Sequence, residues 1–239
     1  MMRLDKLLAV STALTRSQAG KAIRDGRVQV DGCTVTSPDR KVDELNAKVM
    51  LDGQYCGYQA FHYYILNKPK GILTASRDRK QKTVLDLFPP EIRKQGIFPV
   101  GRLDKDTSGL LLLTDDGEFA HRILSPKSQV RKVYLAQVEG ELCEEDIHRF
   151  HEGLILADGT KCLPAELEIL APNQAKVTVC EGKYHQVRRM LAAVGKPVSE
   201  LRRISVGNLQ LGPGLKEGCF AEVEKSDLCI LFNILNMGK

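Results

Sequence analysis

One segment near the middle of the chain reads Gly101-Arg102-Leu103-Asp104-Lys105-Asp106-Thr107-Ser108-Gly109-Leu110-Leu111-Leu112-Leu113. Its first nine residues are rich in turn formers, and its last four form an apolar run that favours a buried strand. A loop that enters a buried strand is positioned by that strand, so it can aim a side chain at a ligand. Two interpretations of Asp104 and Asp106 stay open on spacing alone: catalytic carboxylates, or side chains that only hydrogen-bond within the turn.

Further strand-like runs lie on both sides of this segment, at residues 63–66, 133–138, 175–179, 208–211 and 220–223. Helices are interleaved with them, and one helix shows an apolar stripe at helical spacing, made of Val187, Met190, Leu191 and Val194. Neither of the glycine-rich motifs that bind nucleotides, G-x-G-x-x-G and G-x-x-x-x-G-K-[ST], is present. We therefore predict an α+β fold for the larger part of the chain, with a mixed, largely antiparallel sheet and flanking helices.

The first fifty residues show a different pattern. Leu4, Leu7 and Leu8 share one helical face, and the segment Thr15-Arg16-Ser17-Gln18 is a capping box that begins a second helix, which ends at Gly26. Alternating apolar residues flank Asp31-Gly32, a pair that favours a tight hairpin turn. We predict a small helix-helix-hairpin domain at residues 1–53, a polar, Gly-rich linker at 54–60, and a larger domain at 61–239.

The charge of the chain is modest in sum and uneven in distribution. With 35 Lys and Arg against 30 Asp and Glu, the net charge is +5, which permits nucleic-acid binding without requiring it. Residues 1–30 carry six basic and two acidic side chains, and residues 68–82 carry six basic and one acidic. Such segments suit contact with a phosphate backbone. The alternative is that these basic side chains only face solvent and bind nothing.

Composition excludes several classes of protein. The chain is 43% hydrophobic and 27% charged, as in a globular protein and unlike a disordered or fibrous one. Arg3, Asp5 and Lys6 interrupt any apolar signal segment, and no apolar run approaches the ~18 residues of a membrane span, so we expect a cytoplasmic protein. The seven cysteines are odd in number and contain no C-x-x-C pair. We interpret them as reduced, buried thiols rather than as disulfides or a zinc site.

The first fifty residues resemble the S4 RNA-binding domain, through Arg3-Leu4-Asp5-Lys6-Leu7-Leu8, Thr15-Arg16-Ser17-Gln18-Ala19 and Ile23-Arg24-Asp25-Gly26-Arg27-Val28-Gln29-Val30-Asp31-Gly32. The segment that begins at Gly101 resembles the signature loop of pseudouridine synthases of the S4-containing ribosomal RNA type. Other motifs similar to those of this family stand in the family order, namely Asn67-Lys68-Pro69-Lys70-Gly71, Lys132-Val133-Tyr134 and Gly182-Lys183-Tyr184-His185-Gln186-Val187-Arg188-Arg189-Met190. The combined resemblance covers nearly the whole chain.

The resemblance implies an isomerase that breaks the N1–C1′ bond of uridine, turns the uracil and joins its C5 to C1′. No net redox change or hydrolysis occurs, so no cofactor and no metal are implied. By resemblance, Asp104 is the catalytic aspartate, Tyr134 packs on the target base, and Arg188 pairs with the aspartate, whereas Asp106 has no catalytic position. It stays open whether Asp104 attacks as a nucleophile or removes a ribose proton to give a glycal-like intermediate.

Resemblance and charge together predict RNA contacts in both domains. In the S4 domain we expect them at Arg3, Arg16, Ser17, Lys21, Arg24 and Arg27. In the catalytic domain we expect them at Lys68, Lys70, Arg102, Arg189 and Arg203. The target uridine has to be unpaired or flipped out of a helix, at a cost of a few kcal/mol.

The segments Thr114-Asp115-Asp116-Gly117, His121-Arg122-Ile123 and Ser125-Pro126 look more like the small-subunit enzymes than the large-subunit ones. The resemblance suggests uridine 516 of 16S ribosomal RNA as the target, with ribosomal RNA or an assembling subunit as the partner of a monomeric protein. Two alternatives are a large-subunit ribosomal RNA pseudouridine synthase and a non-catalytic S4-type RNA-binding or assembly factor. A glycosidase that uses both aspartates is disfavoured by the sparse aromatic residues, 5% with no Trp.

Overall fold

The structure is a computed structural model that describes residues 1–58 and 60–228. The chain divides into two compact units, Met1–Phe61 and His62–Lys239. The first unit contains two helices and six short strands within its described residues. They are β1 (Met2–Arg3), α1 (Leu4–Ser11), α2 (Arg16–Arg24), β2 (Val28–Val30), β3 (Cys33–Thr34), β4 (Lys41–Val42), β5 (Val49–Leu51) and β6 (Gln54–Tyr55).

Local signals in the sequence account for most of this unit. The Thr15 hydroxyl accepts from the backbone N–H of Gln18, whose side chain in turn accepts from the backbone N–H of Thr15, so the predicted capping box is confirmed. Helix α2 ends just before Gly26, whose φ of 73° favours glycine. Strands β2 and β3 form the predicted antiparallel hairpin around Asp31-Gly32, and helix-helix-hairpin is the observed order.

The predicted start of the linker at residue 54 is wrong. Asp52 and Gly53 both have positive φ and form the turn of a hairpin, so the chain returns as β6 and pairs with β5. The backbone N–H of Cys56 then donates to Val49 at 2.8 Å, and the Cys56 side chain is buried in the core of the first unit. A Gly-rich polar segment is as typical of a tight hairpin as of a linker.

The second unit is built around one large sheet. Its strands are β7 (Tyr63–Lys68), β8 (Phe98–Pro99), β9 (Thr107–Thr114), β10 (Lys132–Val138), β11 (Glu166–Ala171), β12 (Gln174–Val179), β13 (Val198–Val206), β14 (Leu209–Gln210) and β15 (Phe220–Glu222). Its α-helices are α3 (Pro90–Arg93), α4 (Gly117–Leu124), α5 (Glu144–Glu152), α6 (Gln186–Ala193) and α7 (Lys225–Leu228). Two 3₁₀ helices cover Val84–Leu87 and Pro126–Ser128.

The strand order of this sheet is β11-β12-β10-β13-β9-β7-β15, with β14 added to β13 and β8 added to β9. Every strand pairing is antiparallel except the parallel pair of β13 and β9, so the predicted mixed, largely antiparallel sheet is confirmed. All eight residues of β9 are buried. Its leucines alternate between two apolar clusters, one with residues of α4 and one with residues of the first 3₁₀ helix. Both faces of the strand are therefore buried, and its sequence is a continuous apolar run.

The cysteines follow the sequence-based interpretation only in part. Cys56 and Cys162 are buried thiols, but the free thiols of Cys33, Cys143 and Cys219 are exposed. Cys33 begins a hairpin strand and Cys143 precedes helix α5, positions where the chain runs along the surface. Cys180 is half-buried, and Cys229 lies outside the described residues. None of the helices described is both long enough and apolar enough to cross a membrane.

The parallel pairing of β9 with β13 depends on one glycine. Gly109 lies opposite Arg203 and has a φ of +107°. A Cβ atom at Gly109 would lie 2.1 Å from the carbonyl oxygen of Arg203 and 2.8 Å from its backbone nitrogen. Because backbone atoms cannot yield as a flexible side chain does, only glycine permits this approach of the two strands.

We expect Gly109→Ala to lower the free energy of unfolding of the second unit by about 2–4 kcal/mol, through strain at φ and the collision with Arg203. Urea titration measures the change. Gly117→Ala is the matched control, since a Cβ there meets nothing within 4 Å at the start of α4, and its stability should stay within about 0.5 kcal/mol of the wild type or rise. A Gly109→Ala protein as stable as this control would contradict the packing argument.

Candidate active site

Asp104 lies in the loop that precedes β9, and its neighbours hold it there. The preceding residue, Leu103, buries its side chain in an apolar cluster. The Thr74 hydroxyl donates to the carbonyl of Leu103 at 2.6 Å and accepts from its N–H at 3.2 Å. The carboxylate of Asp104 is half-buried and lines a cavity. The tie at Leu103 therefore fixes where the carboxylate points.

Lys68 makes the main contact that organises this loop. Its side chain is fully buried at the end of β7, and its ammonium group donates to four main-chain carbonyls. The acceptors are the oxygens of Pro69 (3.0 Å), Asp104 (3.2 Å), Lys105 (3.2 Å) and Thr107 (3.0 Å). The prediction that Lys68 binds RNA is wrong, because its donors are used inside the protein and a phosphate has no access to them.

The cavity has a volume of about 360 Å³, within the usual range for small-ligand pockets. Its wall combines the Asp104 loop with β10, β13 and the start of α6. The polar and aromatic side chains of the wall include Arg102, Asp104, Lys132, Tyr134, His185 and Arg203. Tyr134 is half-buried, and it packs against apolar clusters on two sides. The carboxylates of Asp104 and Glu181, the ring of Tyr134 and several cations thus border one space.

A β-bulge arranges the β13 side of this wall. Along β10, Lys132 pairs with Val206 and Tyr134 pairs with Arg203, so β13 carries one extra residue over this stretch. Residues three apart on a regular strand face opposite sides of the sheet, but Arg203 and Val206 both line the cavity. The bulge therefore brings Arg203 beside Tyr134. Because the bulge is a shift in the pairing of two strands, the periodicity of the sequence does not reveal it.

The side-chain partner of Asp104 is His185. The two groups lie 3.3 Å apart, between Nε2 of the histidine and Oδ1 of the aspartate. His185 precedes α6 in the left-handed region, with φ of 45°, and its ring stacks on Tyr184 with centroids 3.9 Å apart. His185 belongs to the motif Gly182–Met190, but the sequence alone left three roles open for it: a hydrogen bond to RNA, a hydrogen bond to the loop, or a structural contact.

Arg188 differs from its predicted arrangement. Its Nη1 donates to the carbonyl of Val198 and its Nη2 to the carbonyl of Asp106, both at 3.2 Å. Within the described residues it forms no ion pair with the carboxylate of Asp104. The predicted pairing is therefore absent in this structure, because the guanidinium is engaged by backbone oxygens of the Asp104 loop and of β13. Arg188 ties α6 to the loop rather than to the carboxylate.

The two carboxylates of the loop lie in different surroundings. Asp104 lines the cavity, whereas the side chain of Asp106 is exposed and lies outside the cavity wall. Only the backbone carbonyl of Asp106 takes part in the structure around the site, as an acceptor for Arg188. The arrangement favours Asp104 as the reacting group.

The other ten residues predicted to contact RNA, nine of them basic, fall into three groups. Arg203 is buried, and its Nε donates to the carbonyl of Leu110 at 2.8 Å, so it faces the cavity and cannot bind the RNA backbone from the surface as predicted. Arg102, Ser17, Lys21 and Arg24 are exposed. The others form ion pairs, which are Arg3–Asp5 (3.0 Å), Arg16–Asp5 (3.3 Å), Lys70–Glu200 (2.6 Å), Arg189–Asp158 (2.5 Å) and Arg27–Asp52.

Two further residues of the wall received no role from the sequence. Lys132 stands two residues before Tyr134, and strand alternation alone predicts that both face the same side of the sheet. Thr107 lies three residues after Asp104, and its buried hydroxyl has no hydrogen-bond partner among the described residues. Strand alternation could have placed Lys132 on the cavity side of the sheet. No pattern in the sequence could have placed Thr107, because its burial depends on the tertiary structure.

Comparison with known proteins is consistent with this geometry. Residues 62–193 match the RNA pseudouridylate synthase family, and residues 2–46 match the S4 domain. The chain belongs to the RNA pseudouridylate synthase family. An uncharacterized RNA pseudouridine synthase of Bacillus subtilis is 41% identical over 234 residues, which cover 96% of this chain and 98% of the relative.

Two further relatives also match over nearly their full length. A ribosomal small subunit pseudouridine synthase A of Escherichia coli is 38% identical to this chain, and the match covers 95% of the chain and 98% of the relative. A solved pseudouridylate synthase structure is 36% identical, with a TM-score of 0.68, and the match covers 97% of this chain and all of that one. The two-unit architecture is therefore that of a known enzyme family.

Burial of Lys68 also affects its ionisation. Removal from water penalises the charged form and lowers the pKa of the Lys68 ammonium to about 8, although the charges of Asp104 and Asp106 act in the opposite direction. In the unfolded chain a lysine keeps its proton up to its ordinary pKa of 10.5. Between these two values the unfolded state binds more protons, so the stability that depends on Lys68 rises with pH.

We expect Lys68→Met to lower the free energy of unfolding by about 2–4 kcal/mol, since four carbonyls lose their donor. The difference between wild type and variant should grow by about 1–2 kcal/mol from pH 7 to pH 9.5, in line with the sign above. Urea titrations at both pH values measure it. A difference that stays constant or shrinks with rising pH would show that Lys68 does not titrate as a buried amine in this structure.

Proposed function

We propose that this enzyme isomerises uridine to pseudouridine in ribosomal RNA, specifically at uridine 516 of the small-subunit RNA, with Asp104 as the catalytic carboxylate. The observation that carries the site is the position of Asp104 in a cavity wall shared with Tyr134, at the end of a loop fastened by Lys68. The small-subunit target is supported by similarity over 95% of the chain to enzymes named for that subunit.

The chemistry follows from the types of side chain in the wall. A uracil stacked on the ring of Tyr134 places its ribose towards the carboxylate of Asp104. The carboxylate either bonds to C1′ as the N1–C1′ bond breaks or takes a proton from C2′. His185, 3.3 Å from Asp104, orients the carboxylate for this step. After the uracil turns, C5 bonds to C1′, the C5 proton leaves and N1 gains a proton, so atoms and charge balance without an added reagent.

RNA binding by the S4 unit uses its exposed basic side chains. Lys21 and Arg24 lie in the last turn of α2, and Ser17 lies near its start. The ion pairs of Arg3, Arg16 and Arg27 lie at the surface, where such pairs contribute about 0–1 kcal/mol, so these arginines can exchange a carboxylate for a phosphate. Binding of this kind positions the RNA without reading its sequence and weakens with added salt.

The exposed residues of the second unit continue this contact. Arg102 is exposed at the cavity, and Lys70 and Arg189 form ion pairs that phosphates can replace. We propose that these residues hold the backbone on both sides of a flipped uridine while the cavity receives the base. Ribosomal RNA, free or in an assembling subunit, is thus the proposed partner.

We expect Asp104→Asn to abolish isomerisation while RNA affinity stays within about twofold of the wild type, because an amide is isosteric with the carboxyl group but neither bonds to C1′ nor accepts the proton. Tritium released from uridine labelled at C5 measures the reaction, and filter binding measures affinity. Asp106→Asn is the matched control in the same loop and should retain full activity. Tritium release by the Asp104→Asn protein would overturn the assignment of the catalytic residue.

A strain that lacks the gene should lose one pseudouridine from its small-subunit RNA, at the position of uridine 516. Chemical mapping of pseudouridine in both ribosomal RNAs measures this, and the wild-type gene should restore the modification whereas the Asp104→Asn gene should not. A loss confined to the large-subunit RNA would reassign the target to that subunit. Unchanged modification in both RNAs would refute the ribosomal assignment.

A further inference from the structure

Lys132 is a cation on the cavity wall that the proposed reaction has not yet used. It begins strand β10, and its neighbours across the sheet are Val179 on β12 and Val206 on β13, both also in the wall. Its strand position is two residues before Tyr134, so the two side chains project from the same face about 7 Å apart. A lysine side chain spans such a distance. Its ammonium group can therefore reach a ring that stacks on Tyr134.

The ammonium group of Lys132 has no partner among the residues that the structure describes. Within residues 1–58 and 60–228 it forms neither a hydrogen bond nor an ion pair. The nearby carboxylate of Glu181 is occupied, because it accepts from Lys183 (2.8 Å), Gln186 (2.7 Å) and the N–H of Leu163 (2.9 Å). A half-buried cation without an acceptor is costly unless a ligand supplies one.

The surroundings of Lys132 add to this cost. Burial and the positive charge of Arg203 lower the pKa of the Lys132 ammonium. The other ionisable groups that act on it, Cys180 and Glu181, raise its pKa but do not offset the burial. The cavity wall holds four cations, at Arg102, Lys132, Lys183 and Arg203, and two carboxylates, at Asp104 and Glu181, so positive groups outnumber negative ones. This balance of charge favours a ligand that is, or becomes, negatively charged.

We propose that Lys132 is a catalytic residue that donates to a carbonyl oxygen of the detached uracil anion. The inference rests on the proposed function. When the N1–C1′ bond breaks, its electron pair stays on the uracil, and the negative charge is shared by N1, O2 and O4. The C5=C6 π pair of the anion forms the new bond from C5 to C1′ while the pair on N1 closes an N1=C6 bond. Loss of the C5 proton to solvent then restores the C5=C6 bond, and N1 takes up a proton. Lys132 stabilises the anion between cleavage of the N1–C1′ bond and formation of the bond from C5 to C1′.

The position beside Tyr134 favours the base over a phosphate as the acceptor. A phosphate of the RNA backbone stays outside the cavity with the exposed cations, whereas a carbonyl oxygen of a stacked uracil lies at the depth of the Tyr134 ring. A donor aimed at a charge that develops only during reaction lowers the barrier without tightening substrate binding. The expected effect of removing Lys132 is thus on the rate at saturating RNA.

The test measures single turnover with enzyme in excess over RNA. Lys132→Met, which keeps the bulk and removes the charge, should lower the rate at saturation about a hundredfold or more and leave the RNA dissociation constant within about twofold. Lys132→Arg should recover at least about tenfold of the loss, since it restores a cationic donor. Lys176→Met is the matched control, because Lys176 lies on the neighbouring strand β12, outside the cavity wall and paired with Glu168, and it should react as the wild type does.

A second substrate tests the charge on the uracil. RNA that carries 5-fluorouridine at the target releases a more stable base anion. The Lys132→Met substitution should therefore lower the rate of glycosidic cleavage less on this RNA than on RNA that carries uridine. An equal loss of rate on both substrates would overturn the inference. Weaker RNA binding with an unchanged rate would also overturn it, and would indicate that Lys132 contacts a phosphate. Thermal unfolding should show that the variant is at least as stable as the wild type, because the ammonium has no partner to lose. A wild type inactive on ribosomal RNA would instead refute the proposed function.

Discussion

The ammonium group of Lys68 donates to four carbonyls, one at the start of the loop after β7 and three in the turn that carries Asp104. Carbonyl oxygens at a turn normally face water, and bringing several of them together inside a protein requires a strong donor. A buried lysine at the end of β7 is that donor. The strand fixes the amine, the amine fixes the loop, and the loop aims the carboxylate, so the geometry of the site depends on this contact.

The opposite wall of the site depends on the sheet. The parallel pair of β9 and β13 brings Arg203 against Gly109, and the bulge in β13 turns Arg203 towards the cavity beside Tyr134. The guanidinium of Arg203 is held by the carbonyl of Leu110. Rigid strands thus carry the cationic and aromatic groups, while the carboxylate comes from a fastened loop. A site built in this way is preorganised, as stabilisation of a developing charge requires.

Much of the fold was predictable because its signals are local. The capping box at Thr15, the hairpin at Asp31-Gly32 and the apolar stripe of α6 involve residues within a few positions of one another. The loop that carries Asp104 was also located, since a polar turn before an apolar strand is a local pattern. The linker boundary failed for the same reason, because a Gly-rich turn looks alike in a hairpin and in a linker.

By itself, the sequence determined the two-unit organisation, the sheet class, the family and the position of Asp104, through short-range patterns and motifs in a set order. Only the tertiary structure decided that Lys68 is buried among carbonyls and that Arg203 faces the cavity rather than the surface. It also decided that Arg188 binds backbone oxygens and that His185 is the neighbour of Asp104. The sequence around a charged residue does not show whether its side chain contacts water, a carbonyl or a carboxylate. Its partner is set by strands and loops far apart in the chain, which come together only when the sheet closes.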